Sequence, residues 1–339
     1  MKKTITLLMV LVTIAVFSAF KQDNAITIFM IGDSTMANKN INHGNKERGW
    51  GMALQCYFND SIRVDNHAVN GRSSKSFINE GRWDSVLSAI EPGDYVVIQF
   101  GHNDEKPKAD RHTDPGSTFD YNLRKFIRET RERGGIPILM NSVVRRNFFK
   151  QVPKNDDDEK LRLTTNDNAS QKANAQKEEG DTLVDTHGLY IQAPRDVAKE
   201  MRCYFVDANK LTHDLEQGMG KDDSKKLHMW FLPGQEPSIP KGRQDNTHYN
   251  IYGAHVVAKM LADAICKEVP VLKSYRVDYD YAIDKYGRGD FMTVGEAISA
   301  VEKGKPTTIQ IMSGEWTKPK LPKGKKITWV LRGNAKWQK

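Results

Sequence analysis

Cysteine is scarce in this chain of 339 residues, which contains only Cys56, Cys203 and Cys266. No cysteine and histidine residues are grouped at the spacing of a zinc site, and an odd number of cysteines cannot be fully paired. Each cysteine has apolar neighbours along the chain, which favours buried thiols that behave as small hydrophobic side chains. We therefore expect neither a disulfide framework nor a zinc site built from cysteine and histidine.

Long apolar runs are absent after the first twenty residues. Lys2 and Lys3 precede an apolar stretch from Ile5 to Phe20, and polar residues follow. This arrangement predicts that residues 1–20 are a secretory signal peptide, so we expect an exported protein, periplasmic or secreted. No later run is long enough to cross a bilayer, so stable membrane insertion is not expected once the signal is removed.

The central part of the chain lacks an excess of charge of either sign. The formal net charge is +8, but residues 271–339 hold fourteen Lys/Arg and seven Asp/Glu. That segment contributes +7 and the two lysines at the start contribute +2, which leaves −1 for residues 4–270. The basic composition is therefore no evidence for a nucleic-acid partner of the main body, and none is expected.

Five short apolar runs alternate with stretches of helical character. The runs are apolar on both faces, as expected for a parallel sheet that is covered on both sides. We predict an α/β fold in three layers with right-handed crossovers. The predicted strands are Ile26–Ile31, Ile62–Asn66, Tyr95–Phe100, Ile136–Asn141 and Cys203–Val206, and the clearest predicted helices are Glu47–Phe58, Phe119–Arg133 and Tyr252–Glu268.

Two loops interrupt this alternation. Residues 153–181 are polar and read as a solvated insertion, with a substrate-facing lid as the alternative. Residues 183–200 then resume with helical character. Residues 231–240 are rich in proline and lead the chain to Asp245.

A serine, an aspartate and a histidine stand where a hydrolytic site would need them. Ser34 follows the first apolar run in Gly32-Asp33-Ser34-Thr35, and ligands of open α/β sheets bind at the carboxyl ends of the strands. Asp245 and His248 lie three residues apart, close enough on one turn for the carboxylate to orient the imidazole. Ser34 as nucleophile, His248 as base and Asp245 as orienting group would suit ester hydrolysis. Each motif alone is as compatible with an ordinary turn.

Two further strand ends supply hydrogen-bond donors for an oxyanion hole. Gly71 follows the second run, where a glycine lets the backbone N–H approach a reacting carbonyl. Asn103 follows the third run and can donate from its side-chain amide. Together with the N–H of Ser34, these would form three donors to an oxyanion. Singly, they could be a turn glycine and a capping asparagine; their occurrence at successive strand ends favours the site.

This pattern resembles the SGNH (GDSL-like) hydrolase family, whose four naming residues match Ser34, Gly71, Asn103 and His248. Within that family, residues 24–270 are similar to the rhamnogalacturonan acetylesterases. The motifs that carry this likeness are Gly-Asp-Ser-Thr, Gly-Arg-Ser-Ser-Lys-Ser-Phe, Phe-Gly-His-Asn-Asp and Asp-Asn-Thr-His-Tyr-Asn. The resemblance implies a flavodoxin-like five-stranded parallel sheet and an O-acetylated pectic polysaccharide as substrate. It also implies a mechanism through an acetyl-enzyme that needs no metal and no other cofactor.

Candidate substrate contacts are less firmly indicated. Arg72, beside Gly71, could pair with a galacturonate carboxylate, or it could brace its own loop through an ion pair. His102 and Trp230 could line the sugar site, and a structural role is the alternative for both.

The last part of the chain, residues 274–339, differs from the rest in its sequence pattern. It has turn-rich segments, a capping-box pattern at Thr293 and Glu296, and two short β runs. It resembles the opening of a pectin methylesterase, which implies about one coil of a right-handed parallel β-helix. A lone coil cannot bury its faces well, so we expect this segment either to pack poorly or to lie against the main domain.

Three functions are consistent with the sequence. Deacetylation of pectic polysaccharide is favoured. The alternatives are an esterase of the same family acting on acetylated xylan, small acetylated sugars or lipid esters, and a catalytically silent carbohydrate-binding module.

Overall fold

The computed structural model describes residues 25–149 and 180–338. The predicted signal peptide and most of the predicted polar insertion lie outside the described residues. No helix within these two ranges is both long and apolar enough to cross a membrane.

A five-stranded parallel sheet forms the centre of the main body. Its strands are arranged in the order β2-β1-β3-β4-β7, the flavodoxin-like order that the resemblance implied. Every residue of the central strand β3 is buried, because helices cover both faces of the sheet. The strands are β1 (Ile26–Gly32), β2 (Ile62–Asn66), β3 (Tyr95–Gln99), β4 (Ile136–Met140) and β7 (Tyr204–Val206).

Helices cover the sheet in two layers, each with its own apolar core. On one face α1, α6 and α7 pack against a core that includes Trp50 and Leu261. On the other face α2, α3, α4 and α5 pack around Trp83 and Phe126. The predicted three-layer sandwich is therefore confirmed. The helices are α1 (Trp50–Ala53), α2 (Ser74–Asn79), α3 (Arg82–Ala89), α4 (Thr118–Glu132), α5 (Leu189–Met201), α6 (Ala208–Asp223) and α7 (Ile251–Glu268).

The predicted helix Glu47–Phe58 is wrong in its extent. Only Trp50–Ala53 is α-helical, and Leu54–Tyr57 continues it as a 3₁₀ turn. The reason is the close packing of the preceding residues on the serine loop. A Cβ at Gly49 would lie 2.3 Å from the carbonyl oxygen of Ala37, so the chain runs extended past that loop before it can coil.

Two short antiparallel pairs complete the main body. One joins β5 (Phe148–Phe149) to β6 (Thr182–Leu183). The other joins β8 (His228–Phe231) to β9 (Arg243–Tyr249) and contains a register shift between His228 and Trp230. His228 pairs with Tyr249 and Trp230 with Gln244, so one residue of β8 faces four of β9. Such a bulge extrudes the extra residues from the ladder.

Residues 274–338 form a C-terminal unit with parallel strands. A three-stranded sheet has the order β10-β11-β13, and a second pair joins β12 to β14. The predicted capping box is confirmed, because Thr293 and Glu296 cap the helix α8 reciprocally. The elements are β10 (Tyr281–Ile283), α8 (Val294–Ala300), β11 (Pro306–Ile311), β12 (Glu315–Trp316), β13 (Lys326–Leu331) and β14 (Lys336–Trp337).

The C-terminal unit lies against the main body, which was one of the two expected outcomes. The buried guanidinium of Arg332 donates to the carbonyl of Phe58 and, at 2.9 Å, to the carboxylate of Asp60. Gln310 donates to the carbonyl of Cys56 at 2.8 Å. Ala282 of this unit belongs to the same apolar core as the residues around α7. Its kinship to a pectin methylesterase β-helix stays a prediction.

Candidate active site

The serine loop begins where β1 ends. A Cβ at Gly32 would lie 2.7 Å from the carbonyl oxygen of Gln99 on β3, so the chain leaves the sheet at a glycine. Asp33 then turns the chain, since its buried Oδ1 accepts from the backbone N–H of Thr35 at 2.9 Å and from the Thr35 hydroxyl at 2.8 Å. Ser34 is thereby fixed at the carboxyl edge of the sheet, as its sequence position predicted.

The bulge in β9 presents Asp245 and His248 to this serine. His248 Nδ1 lies 2.8 Å from Asp245 Oδ2, and His248 Nε2 lies 2.9 Å from Ser34 Oγ. The three predicted residues therefore form one hydrogen-bonded chain, although Ser34 and His248 are 214 positions apart in sequence. The pair lies in an irregular strand rather than in the free turn that the spacing suggested.

The carboxylate of Asp245 is completely buried and fully hydrogen-bonded. Its Oδ1 accepts the backbone N–H groups of Thr247 and His248, and its Oδ2 also accepts from Arg243 at 2.5 Å. Burial alone would raise the pKa of Asp245, but the hydrogen bond and charge of His248, with the charge of Arg243, hold it well below its usual range. Asp245 is thus a fixed anion facing the imidazole.

A chain of alternating charges extends behind Asp245, and sequence reasoning missed it. Arg243 bridges Asp245 to Glu47 at 2.6 Å, and Glu47 in turn pairs with the buried ammonium of Lys39 at 2.8 Å. Burial alone would raise the pKa of Glu47, but the charges of His248, Lys39 and Arg243 lower it to about 2. Arg243 could have been noticed, because residues two apart on a strand share a face. Nothing in the sequence marks Glu47.

The two predicted oxyanion loops lie on either side of the serine loop. Since β1 lies between β2 and β3, the segments after those strands reach the same edge of the sheet. Gly71 has φ of 74°, a conformation that favours glycine. The Asn103 amide donates to the carbonyl of Arg72 at 3.2 Å, and Asp104 accepts from the Ser74 hydroxyl at 2.5 Å. These bonds hold the two loops together.

Asp104, another residue that the sequence did not single out, is completely buried beneath these loops. It also accepts from the Thr113 hydroxyl at 2.9 Å and from the backbone N–H of Ser74 at 3.0 Å. Burial raises the pKa of Asp104 to about 7, against these donors, which lower it. Its place is structural, because it fastens the loop after β2 to the loop after β3.

The three candidate substrate residues have different surroundings. Arg72 pairs with Glu80 at 3.0 Å, the bracing contact that was its alternative role. His102 is only 3% exposed and packs edge-on against His187, with ring centroids 4.5 Å apart. Burial, together with His187 and Arg145, lowers the pKa of His102 well below its ordinary value. The roles of Arg72 and His102 in substrate binding stay predictions.

Trp230 lies beside the bulge that contains Asp245 and His248. Its indole N–H donates to the side chain of Asn246 at 2.8 Å, and Arg146 and Lys225 stack on its ring at 5.0 and 4.9 Å from the centroid. The ring is thus part of a braced cationic environment, and its contact with a sugar stays a prediction. In the ranges that the structure describes, no three His, Cys, Asp or Glu side chains are grouped so that they could hold a metal ion.

A serine hydrogen-bonded to a histidine, which is in turn hydrogen-bonded to a buried carboxylate, is the arrangement of enzymes that transfer acyl groups through a serine. Residues 30–230 match the model of the GDSL-like lipase/acylhydrolase family. The chain is 35% identical to the rhamnogalacturonan acetylesterase RhgT of Bacillus subtilis over 71% of this chain and 89% of that protein. It is 30% identical to the probable rhamnogalacturonan acetylesterase YesY of the same organism, over 70% and 91% of the two chains.

The fold has a counterpart among solved structures. The crystal structure of the protein YXIM from Bacillus subtilis superimposes with a TM-score of 0.53 and 24% identity, covering 72% of this chain and 57% of that one. The chain belongs to the GDSL-like lipase/acylhydrolase family and is a carboxylic ester hydrolase. The predicted likeness to the rhamnogalacturonan acetylesterases is confirmed.

Proposed function

We propose that this protein removes O-acetyl groups from a pectic polysaccharide of the rhamnogalacturonan type, with Ser34 as nucleophile and an acetyl-enzyme intermediate. The observation that carries the mechanism is the chain of hydrogen bonds from Ser34 Oγ through His248 to Asp245, at 2.9 and 2.8 Å. The substrate class is supported by the names of the two Bacillus subtilis relatives, each of which is matched over most of its length.

In the first half-reaction, Ser34 Oγ attacks the acetyl carbonyl carbon while His248 Nε2 accepts the hydroxyl proton. The negative charge that develops on the carbonyl oxygen is received by the N–H groups of Ser34 and Gly71 and the amide of Asn103. The tetrahedral intermediate then collapses, the bond to the sugar oxygen breaks, and His248 returns the proton to that oxygen. The acetyl group stays on Ser34.

In the second half-reaction, a water molecule attacks the acetyl group on Ser34. His248 accepts a proton from this water, and the second tetrahedral intermediate uses the same three donors. When it collapses, His248 returns its proton to Ser34 Oγ and acetic acid leaves, which loses its remaining proton to the solvent to give acetate. Asp245 keeps one tautomer of His248 throughout and stabilises the imidazolium that forms twice in each cycle.

Acetate release from acetylated polymer tests this proposal. Ser34→Ala should lower kcat by at least about a thousandfold, because the nucleophile is lost while the rest of the fold is retained. Ser61→Ala, at an exposed serine between Asn59 and β2, is the matched control and should release acetate as the parent does. Equal release by the parent and Ser34→Ala would contradict the serine mechanism.

A panel of substrates separates the substrate classes. Acetylated rhamnogalacturonan should be deacetylated with the highest kcat/KM, ahead of acetylated homogalacturonan and acetylated xylan. A preference for acetylated xylan or for small acetylated sugars would replace the proposed substrate but keep the esterase mechanism. Binding of polymer without any acetate release by the parent would instead indicate a silent carbohydrate-binding module.

A further inference from the structure

The arginines and the lysines of the C-terminal unit have different contacts. Its three arginines are all engaged in ion pairs: Arg276 with Asp263, Arg288 with Asp284 and Arg332 with Asp60. Two of these pairs join the unit to the main body, and Arg332 is 4% exposed. The arginines therefore hold the structure together and are not free to meet a partner.

The lysines of the same unit are arranged differently. Residues 302–326 contain seven lysines and only two acidic residues, Glu302 and Glu315. Lys303, Lys323 and Lys326 are exposed and, within the described ranges, form no ion pair. Lys325 is the exception, because its ammonium caps the end of α8 by donating to backbone carbonyls there.

These lysines come together at the amino ends of β11 and β13. The turns before the two strands are joined by a hydrogen bond of 2.8 Å from the N–H of Gly304 to the carbonyl of Gly324. A Cβ at Gly324 would be 3.9 Å from the Cβ of Lys303, and Lys326 pairs in register with Pro306. Lys303, Lys305, Lys323 and Lys326 therefore form one exposed cationic surface, here called the lysine surface.

Positive charges this close together repel one another unless an anion lies between them. Neighbouring strands are about 4.8 Å apart, which is less than the screening length of about 8 Å at physiological ionic strength. The charges therefore act jointly on a partner. Lysine is a point charge on a flexible stem, whereas bidentate recognition of a phosphate or a base relies on arginine. A partner with repeated, singly charged carboxylates on a flexible chain suits such a surface.

We propose that the lysine surface binds the carboxylates of an acidic, uronate-containing polysaccharide and so holds the enzyme on the polymer that its active site deacetylates. This inference rests on the proposed function for the identity of the polymer. The lysine surface belongs to the C-terminal unit, whereas Ser34 lies at the edge of the main sheet, so polymer binding and ester hydrolysis are separable properties of the chain.

Binding of a polyuronate without acetyl groups tests the proposal independently of catalysis. The probe is polygalacturonate, with the Kd measured at low and at high salt for the full chain. The triple variant Lys303→Gln, Lys323→Gln and Lys326→Gln should bind at least about tenfold more weakly at low salt, because attraction between exposed charges is lost. Binding by the parent should weaken strongly in 0.5 M salt, where the screening length is about 4 Å, compared with about 10 Å in 0.1 M salt.

A second triple variant controls for net charge. Lys199, Lys267 and Lys273 are exposed lysines of the main body and its junction, and changing all three to Gln removes the same charge. This variant should bind polygalacturonate as the parent does, and both triple variants should hydrolyse p-nitrophenyl acetate at the parent rate. Equal weakening by the two triple variants would show a net-charge effect and overturn the proposal.

Other outcomes also overturn it. If the parent does not bind polygalacturonate at low salt, the lysine surface has no such role, although acetate release can still proceed and the proposed function stands. If the parent binds duplex DNA or vesicles containing anionic lipid more tightly than polygalacturonate, the surface is selective for a different polyanion. If the parent releases no acetate but its binding of polygalacturonate depends on the lysine surface, the proposed function is refuted and the proposed binding site is supported.

Discussion

Gly253, in the first turn of α7, is the position where the smallest change should do the most damage. A Cβ at this residue would lie 1.9 Å from the carbonyl oxygen of Leu227 and 2.6 Å from its carbonyl carbon. The same carbonyl accepts the backbone N–H of Asn250 at 3.0 Å, and the Asn250 side chain caps α7 by accepting from Gly253 at 2.9 Å. The contact therefore joins the start of α7 to the hairpin that carries His248.

The size of the effect follows from this distance. An ordinary contact needs more than 3 Å, so Gly253→Ala must separate two backbone segments by about 1 Å; overpacking of this kind costs about 1–3 kcal/mol and occasionally more. Replacing glycine by alanine in a helix gains back up to about 1 kcal/mol. We expect a net loss of about 2 kcal/mol in the free energy of unfolding. A displacement of about 1 Å at His248 should also lower kcat/KM by about a hundredfold.

Gly218→Ala is the matched control. Gly218 lies on the exposed side of α6, and a Cβ there would meet nothing within 4 Å. This change should raise the free energy of unfolding by about 0.5–1 kcal/mol and leave activity unaltered. Urea denaturation and hydrolysis of p-nitrophenyl acetate measure both quantities. If Gly253→Ala unfolds at the urea midpoint of the parent and keeps its activity, the close approach of α7 to Leu227 is refuted.

Two further predictions concern the charges behind Asp245. Glu47→Gln leaves Arg243 with Asp245 as its remaining carboxylate partner, and this change should lower kcat/KM by about tenfold, equivalent to about 1.4 kcal/mol. The double variant Glu47→Gln, Arg243→Gln should lose less transition-state stabilisation than the sum of the two single variants. Additive losses would contradict a coupled pair. Because the folded pKa of Glu47 is lowered to about 2 from 4.5, its stabilising contribution is present above pH 4.5 and lost as the pH falls towards 2. Between pH 4.5 and 2, the free energy of unfolding measured in urea should fall by up to about 3 kcal/mol more for the parent than for Glu47→Gln. An equal fall in both proteins would show that the Glu47 carboxylate does not stabilise the fold.

The sheet and the nucleophile could be predicted because both depend on local sequence. Runs such as Tyr95–Gln99 are apolar on both faces, and their short length and β-branched residues favour a covered parallel strand over a buried helix. Once the strands are known, Ser34, Gly71 and Asn103 fall at strand ends that must share one edge. This part of the candidate site therefore follows from the order of the strands.

The rest of the site depends on contacts between distant segments, which leave no local signature. Glu47 approaches Arg243 across 196 positions of sequence, and no spacing rule connects them. The bulge that carries Asp245 and His248 arises from the register of β8 against β9, which a Pro-rich loop does not specify. The position of His102 after a strand predicts a sugar contact, whereas the packing against His187 that buries its ring is set by the tertiary fold.

The turn around Gly287 connects the C-terminal unit to the main body, although the sequence predicts a boundary between them at residue 274. The carbonyl of Gly287 accepts from the guanidinium of Arg48 at 2.9 Å, and Arg48, 3% exposed, is the immediate neighbour of Glu47. Removing the C-terminal unit would strip a buried cation of this acceptor beside the charges that support Asp245. We therefore expect that cutting the chain at this predicted boundary would destabilise the main body. An engineered exchange of the C-terminal unit for another binding module would have to replace this acceptor as well as the chain that carries it.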